Sequence, residues 1–395
     1  MNVLYITVGN GGSDVALLSF LKRARDKHNI NPLVIVNKNS KNGLAKSLDK
    51  LYIHYIELMY DFDLVPKWTN IRNIHRYFYQ YLIRLIFNPI AVLKIKSIAK
   101  SSNVDLIHSN TSCYQIGYRV AKTLNIPHVW HFREFQDLDF GVKPLFGRNN
   151  FQKKVLDNLN YCIAITSTIY YHHDLIKTKN SFIIYDGILN KDNIRFTNDK
   201  QDYFLFVGRL SEQKGIYELI YSFINFSKYN QNFILKLCGK FQISTKAELT
   251  KILNKFNLAS RVQFLGERND INDLMYHATA LIVPSKFEAF GLVTVEAMAN
   301  GCLVIGNNTG GTKEQFDKGF EIVDTEIGLR YSGENQLTNC LKNVVNNGIE
   351  YYYLNILASQ RVIADLYTIE NNVNGIINVY NLSLGKVNQR SFNYG

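Results

Sequence analysis

The stretch Ala280–Gln315, ALIVPSKFEAFGLVTVEAMANGCLVIGNNTGGTKEQ, leaves little freedom to any chain that contains it. Ala280 to Val283 is a short apolar run with the length and composition of a buried strand. After a loop, Gly291 offers a turn, and Leu292 to Ala299, rich in Ala, Leu, Met and Glu, predicts a short helix. Asn300-Gly301 stops it, with Gly301 where a left-handed cap belongs. Leu303 to Ile305 is a second buried strand, and Gly310-Gly311 closes the unit as a flexible loop. A strand, helix, strand unit this compact is a right-handed crossover in a parallel sheet, so the loop ahead of the helix falls at the carboxyl edge where such sheets bind ligands. The free N–H groups and positive dipole end of that helix suit a phosphate or diphosphate. Glu288 lies on the loop, and Glu296 lies about one turn inside the helix. One carboxylate can reach a group in front of the helix, and the other can accept two hydrogen bonds from a vicinal diol such as a ribose.

Pro284-Ser285-x-x-Glu288-Ala289-Phe290-Gly291-Leu292, then Glu296-Ala297-Met298-Ala299-x-Gly301 and Gly310-Gly311, closely resemble the signature of paired glutamates in the retaining family 4 glycosyltransferases. The resemblance implies an α/β chain with the GT-B fold, two facing Rossmann-like domains with parallel sheets and an interdomain cleft. It places Glu288 beside a donor sugar, the backbone of Ala289, Phe290, Gly291 and Leu292 against sugar and phosphate, and Glu296 on the ribose hydroxyls. A second block, Gly208-Arg209-Leu210 to Lys214-Gly215, follows the predicted strand Tyr203–Val207 and also matches the family. A strand ending at the ligand edge sends Arg209 and Lys214 toward the same ligand, where two fixed cations neutralise a departing diphosphate.

The first half carries weaker signals. A strand from Val3 to Val8 leads through Gly9-Asn10-Gly11-Gly12 into a helix from about Asp14 to Arg25, but the glycines do not spell the dinucleotide fingerprint. The resemblance alone brings Gly11 and Gly12 to the donor diphosphate. In Ile126–Phe135, IPHVWHFREF, His131 leaves the carboxyl end of a predicted strand. By resemblance it contacts the donor sugar, with a satisfied core histidine as the other reading. Asn110, after the strand Asp105–His108, likewise points into the expected cleft as an acceptor contact.

At 395 residues, two domains with full cores are expected. Strands at Leu33–Val36, His128–Trp130, Cys162–Ile165, Phe233–Cys238 and Val262–Leu265 alternate with helical stretches, the pattern of parallel sheets. The polar stretch ILNKDNIRFTNDKQ reads as a linker, which divides the chain into residues 1–190, a linker 191–202, residues 203–370, and a final helix within 371–395 that crosses back to the first domain.

The net charge of +12 lies wholly in the first half, where Met1 to Thr197 holds 26 basic and 14 acidic residues against 19 of each beyond. Such asymmetry points to a partner. Ile71 to Lys100 has six basic residues, no acidic one and dense aliphatic and aromatic side chains around Pro89. Two helices meeting at that proline have the composition of interfacial membrane helices, and equally of core helices with a basic outer face. The regional charge favours contact with anionic lipid through residues 68–100, with Trp68 as an interfacial anchor. No recognition module supports nucleic acid as the partner.

Asp61-Phe62-Asp63 and Asp137-Leu138-Asp139 spell the metal-binding D-x-D of the other large glycosyltransferase fold, but neither follows an apolar strand cleanly. Both are read as solvated turns, and no metal or other cofactor is expected. Cys113, Cys162, Cys238, Cys302 and Cys340 have no disulfide or zinc spacing, and neither a leader nor an apolar run of membrane-spanning length is visible. A cytoplasmic protein, peripheral at the inner membrane face, is expected. The whole reading is of a metal-independent retaining glycosyltransferase that moves a sugar, most simply from a UDP-sugar, to a glycan or lipid-linked acceptor in capsule or exopolysaccharide synthesis. A Rossmann oxidoreductase lacks its fingerprint here. A non-catalytic membrane- or nucleic-acid-binding protein would leave the second-half cluster unused.

Overall fold

The computed structural model describes residues 1–7, 11–38, 43–67, 74–187 and 189–387, and the chain forms two units, residues 1–188 with 369–395 and residues 189–368. In the first unit the strands are β1 (Asn2–Ile6), β2 (Asn31–Asn37), β3 (Tyr55–Leu58), β4 (Leu64–Pro66), β5 (Leu106–Ser109), β6 (His128–Phe132), β7 (Val142–Pro144), β8 (Asn160–Ala164) and β9 (Ser181–Ile183). Seven of them form a parallel sheet in the order β3-β2-β1-β5-β6-β8-β9, and β4 and β7 make a separate antiparallel pair.

Why this sheet is covered on both faces can be read along β1. Val3 and Tyr5 pack with the helices Gly12–His28 and Ile369–Ser383, whereas Leu4 and Ile6 pack with Ile74–Ser101 and Ile116–Leu124. Alternate side chains of a strand face opposite ways, so a run apolar at every position needs helices on both sides. All four of these residues are fully buried, each contributing about 1.5–3 kcal/mol.

The second unit runs β10 (Gln201–Val207), β11 (Ile234–Cys238), β12 (Val262–Gly266), β13 (Ala278–Val283), β14 (Leu303–Asn307) and β15 (Leu329–Tyr331), in the parallel order β12-β11-β10-β13-β14-β15. Strand order reverses between β10 and β13, and the crevice beyond the carboxyl ends at such a switch point is where open α/β sheets take their ligands. Phe204, Phe206, Leu235, Leu237, Ile282 and Ile305 share one face and form a core with the helices Ile216–Ser227, Ile243–Lys255 and Glu334–Asn347.

Four expectations are corrected. Residues 191–202 do not form a free linker. Asn190 and Asn193 close a capping box on the 3-10 turn Lys191–Asn193, the Arg195 N–H bonds Ala299 O at 2.8 Å, and β10 already begins at Gln201. The polarity that reads as a linker goes into hydrogen bonds within the second unit. Ile74–Ser101 is one helix with Pro89 inside it. The side chain of Asn88 clamps the backbone of Asp61 through both its oxygen and its amide nitrogen, and Ala91, Ile95 and Ala99 bury the next turns, which holds the helix through the missing N–H. Trp68 lies outside the described residues. Third, Gly310-Gly311 opens the helix Gly310–Val323 and is not a flexible loop.

Fourth, the D-x-D segments are not solvated turns. Asp63 is 1% exposed, accepts from the Gln115 N–H at 2.7 Å and pairs with Arg119 at 3.1 Å, while Asp61 pairs with Arg84 at 3.1 Å. Asp137 meets Lys67 and His172, and Asp139 accepts from the Phe135 N–H. These carboxylates tie loops together. Among the described residues all five cysteines are free thiols, and no helix is long and apolar enough to cross a membrane.

Candidate active site

The cluster in the second unit is assembled by backbone contacts too close for side chains. Gly215 sits at φ +70°, and a Cβ there would lie 1.9 Å from Pro284 O. Glycine therefore lets the 3-10 turn Glu212–Lys214 press against the loop leaving β13, where the Lys286 N–H also bonds Gln213 O at 3.1 Å. The result is the ion pair of Lys214 Nζ with Glu288 Oε2 at 2.7 Å, with side chains 32% and 15% exposed.

A second close approach fixes the rest of the loop. The Gly311 N–H bonds Glu288 O at 2.6 Å, and Gln315 Nε2 donates to Phe290 O at 2.7 Å. Phe290 itself is buried with its ring 5.7 Å from that of Tyr367. Gly291, at φ +90°, then starts the helix Leu292–Ala299 without any side-chain cap. The first N–H groups of a helix have no intrahelical partner, and without a side-chain cap this helix start has the character of an anion site. Replacing Gly311 by alanine would set a Cβ 2.4 Å from Phe290 O. The loop carrying Glu288 must then move, and we expect nucleotide binding weakened more than tenfold and a stability loss of about 1–3 kcal/mol, measured by calorimetry and thermal unfolding.

Glu296 stands apart from the pair. It is partly buried, its carboxylate makes no hydrogen bond or ion pair among the described residues, and burial pushes its pKa up to about 7. A carboxylate costly to bury and left unpaired is ready to accept donors from outside. Arg209, after β10, is exposed and makes no ion pair with the other cluster residues. Gly208 and Gly239, at the ends of β10 and β11, come so close that a Cβ on Gly239 would lie 2.0 Å from Gly208 O.

The first unit holds a second cluster at the carboxyl ends of β5, β6 and β9. His131 is fully buried, and its Nε2 has no partner among the described residues. Arg133, 7% exposed, bonds Asp186 Oδ2 at 2.5 Å, Asn110 Oδ1 at 3.1 Å and His131 Nδ1 at 3.4 Å. Burial, then the nearby Arg133, holds His131 well below the ordinary histidine range, so it is neutral. Asn110 directs its amide to Ser13 O at 3.0 Å, which anchors the helix that Gly12 begins. Gly11, at φ +108°, and Gly12 are exposed at that helix start, and among the described residues nothing crowds Gly11. Asn110 and His131 thus meet through Arg133. Sequence reading misses Arg133, Asp186 and His108, although the Arg lies only two residues from His131 and Asp186-Gly187 has the letters of a tight turn. Among the described residues no group of three His, Cys, Asp or Glu has the geometry to hold a metal.

Two parallel sheets, each with a cluster at its carboxyl edge, are the architecture of the GT-B class. Comparison with known proteins agrees. Residues 189–327 match the family described as glycosyl transferases group 1. An uncharacterized glycosyltransferase of Methanocaldococcus jannaschii is 28% identical over 312 residues, covering 77% of this chain and 83% of that one. An uncharacterized 42.6 kDa protein from the cps region of Klebsiella pneumoniae is 24% identical over 68% of this chain and 66% of its own. Among solved structures, Anabaena HepE in complex with UDP and glucose superposes with a TM-score of 0.75 at 18% identity, over 97% of this chain and all 100% of that one. The sucrose-phosphate synthase of Thermosynechococcus elongatus gives 0.71 at 17%. Residues 189–327 are thus similar to the group 1 glycosyl transferases, and the chain has the GT-B fold.

Proposed function

We propose that the protein is a retaining, metal-independent glycosyltransferase that uses a UDP-sugar and passes the sugar to a glycan or lipid-linked acceptor in cell-surface polysaccharide assembly. The observation that carries this reading is the grouping at the switch point of the second sheet: Lys214 paired with Glu288, an uncapped helix start, and the partnerless carboxylate of Glu296. The helix start and Lys214 take the diphosphate, with Arg209 joining them, and Glu296 takes the ribose diol. Glu288 with the backbone of Ala289 to Leu292 orients the sugar. As the glycosidic bond lengthens, negative charge grows on the diphosphate, where fixed cations stabilise it most. The acceptor hydroxyl attacks from the leaving-group side and gives its proton to a phosphate oxygen, so no side chain becomes a nucleophile. His131 supplies a hydrogen-bond donor to the sugar, and Asn110 helps to shape the acceptor side. That HepE was solved with UDP and glucose supports a uridine nucleotide, and the cps-region relative supports a polysaccharide product.

Calorimetric titration in the presence of a chelator tests this. UDP should bind and GDP should bind at least tenfold more weakly, and Arg209→Ala should weaken UDP by about tenfold, the worth of a charged hydrogen bond. If neither nucleotide binds folded protein, with or without magnesium, the reading falls.

The same reading includes contact with anionic membrane. Along Ile74–Ser101, Phe78, Leu82, Leu85, Ile86, Ile90 and Leu93 are exposed, Phe78 and Leu93 by 63% and 67%. Lys94 and Lys100 are exposed on the last turns, whereas Arg84 is buried against Asp61. An apolar row with lysines beside it suits an interfacial helix on acidic lipid. Changing Leu85, Ile86 and Leu93 together to serine should reduce sedimentation with phosphatidylglycerol vesicles at least tenfold and leave UDP affinity unchanged. Equal sedimentation would remove this helix from the membrane contact.

A further inference from the structure

Gln315 lies near the start of the helix Gly310–Val323, 1% exposed, with its carboxamide against the loop that carries Glu288. Its Nε2 donates to Phe290 O at 2.7 Å and to Gly291 O at 3.4 Å, one carbonyl for each of its two N–H groups. Only the nitrogen can meet two carbonyls, so the way the amide faces is fixed. Oε1 is turned elsewhere and has no partner among the described residues. A buried acceptor left unpaired is costly, and methionine would fill the same space without it. What glutamine adds is its pair of donors.

Those donors decide which way the loop faces. Gly291 is left-handed, at φ +90° and ψ 55°, and Leu292 after it begins the right-handed helix. A left-handed residue followed by a right-handed one gathers successive N–H groups into a concavity that suits an anion. All peptides here are trans, so each N–H points opposite the carbonyl of its own peptide. With Phe290 O and Gly291 O both drawn to Gln315, the N–H groups of Gly291 and Leu292 point away from it. Gly291 O also accepts from the Thr294 N–H at 2.9 Å, which ties the second of these peptides to the helix.

We propose that Gln315 is a positioning residue that holds the Phe290–Gly291 and Gly291–Leu292 peptides with their N–H groups toward an anion, the diphosphate of the donor nucleotide. Naming the anion as a nucleotide diphosphate rests on the glycosyl-transfer reading above. The facing of the two peptides does not. Glu288 is held separately, by the Gly311 N–H on its carbonyl at 2.6 Å. The effect of Gln315 therefore falls on the anion and not on the Lys214–Glu288 pair.

The test uses full-length protein labelled with carbon-13 at the phenylalanine carbonyl and nitrogen-15 in glycine, so that correlated spectra show only Phe-Gly peptides. The sequence has three, Phe140-Gly141, Phe146-Gly147 and Phe290-Gly291, and the last is assigned by its loss in Phe290→Leu. UDP, and inorganic diphosphate at higher concentration, should displace the Gly291 amide of wild type more than those of Gly141 and Gly147. In Gln315→Met, which nearly conserves volume, the Phe290 carbonyl carbon should move upfield as its hydrogen bond is lost. Both ligands should bind that variant about tenfold more weakly, as for a weakened hydrogen bond to a charged group. The proposal is overturned if UDP binds wild type and leaves Gly291 unmoved, or if either the Phe290 carbonyl or the affinities are unchanged in Gln315→Met. The wild-type titration decides even where that variant does not fold. If inorganic diphosphate displaces Gly291 and UDP does not bind, Gln315 keeps its role and the glycosyl-transfer reading fails. If neither anion binds, both fall.

Discussion

Glutamine in place of Glu296 is expected to make the protein more stable above pH 7 and unable to hold UDP. Burial lifts this carboxyl from its usual 4.5 to about 7 in the folded chain. Between those two values the folded state binds the proton that the unfolded state has released, so stability falls as pH rises through the window and stays low beyond it. A tenfold difference in proton affinity between the folded and unfolded chain is worth about 1.4 kcal/mol, and because the group is only partly buried we expect a recovery of about 1–3 kcal/mol in Glu296→Gln. The difference in melting temperature between variant and wild type should be near zero at pH 4.5 and level off above pH 7. UDP affinity should fall at least 100-fold, since two hydrogen bonds to a charged acceptor are lost at about 1.5–3 kcal/mol each. Wild-type affinity should itself rise with pH through about 7, as the carboxylate ionises. Unchanged UDP affinity in the variant would show that the ribose is not held there. A flat stability difference across pH would show that burial does not perturb Glu296.

The second large effect is expected at Lys214. Replacing it by alanine removes the cation proposed for the diphosphate and leaves the 15% exposed Glu288 carboxylate without its partner. Loss of one preorganised charge at a leaving group costs about 100- to 1,000-fold in kcat, and arginine, with a planar fork in place of a point charge, should restore little of it. Initial rates of UDP-glucose hydrolysis would measure this. Because the two side chains touch, Glu288→Ala and the double variant should be strongly non-additive, the double being little worse than the worse single. Full additivity would mean that the 2.7 Å contact has no part in the reaction.

Much of the cluster in the second unit was legible in the sequence because it is local. Ala280 to Gly301 is strand, loop and helix in succession, and the predicted helix Leu292–Ala299 and the left-handed Gly301 are both present. What the sequence could not show was which atoms lacked partners. Glu296 and Glu288 look alike in a string of letters, yet only Glu288 is paired. The cluster in the first unit was harder to read. His131 was legible from its place at a strand end, but His108 and Tyr380, separated by 272 positions, meet only through the fold. The short pair β4 and β7 escaped notice because three residues carry no periodicity. The proline in Ile74–Ser101 misled because propensity argues for a break, and the tertiary clamp between Asn88 and Asp61 that overrides it depends on a segment outside the helix.

The return of the chain to the first unit at residue 369 sets an order of assembly. On a ribosome adding roughly 5–20 residues per second, residues 1–188 emerge long before the helix that completes their core. Until then Tyr5, Phe20 and Val34 face solvent where Val373, Ile376 and Tyr380 will later pack. The intervening unit, continuous from 189 to 368, has every strand it needs and can close first. The first-made half is thus the last to finish, and its apolar surface stays open until Glu370 meets Arg23 and Lys27 and the final helix docks. Truncation ahead of that helix would leave a nascent chain whose first unit stays unfinished, a substrate for chaperones and proteases.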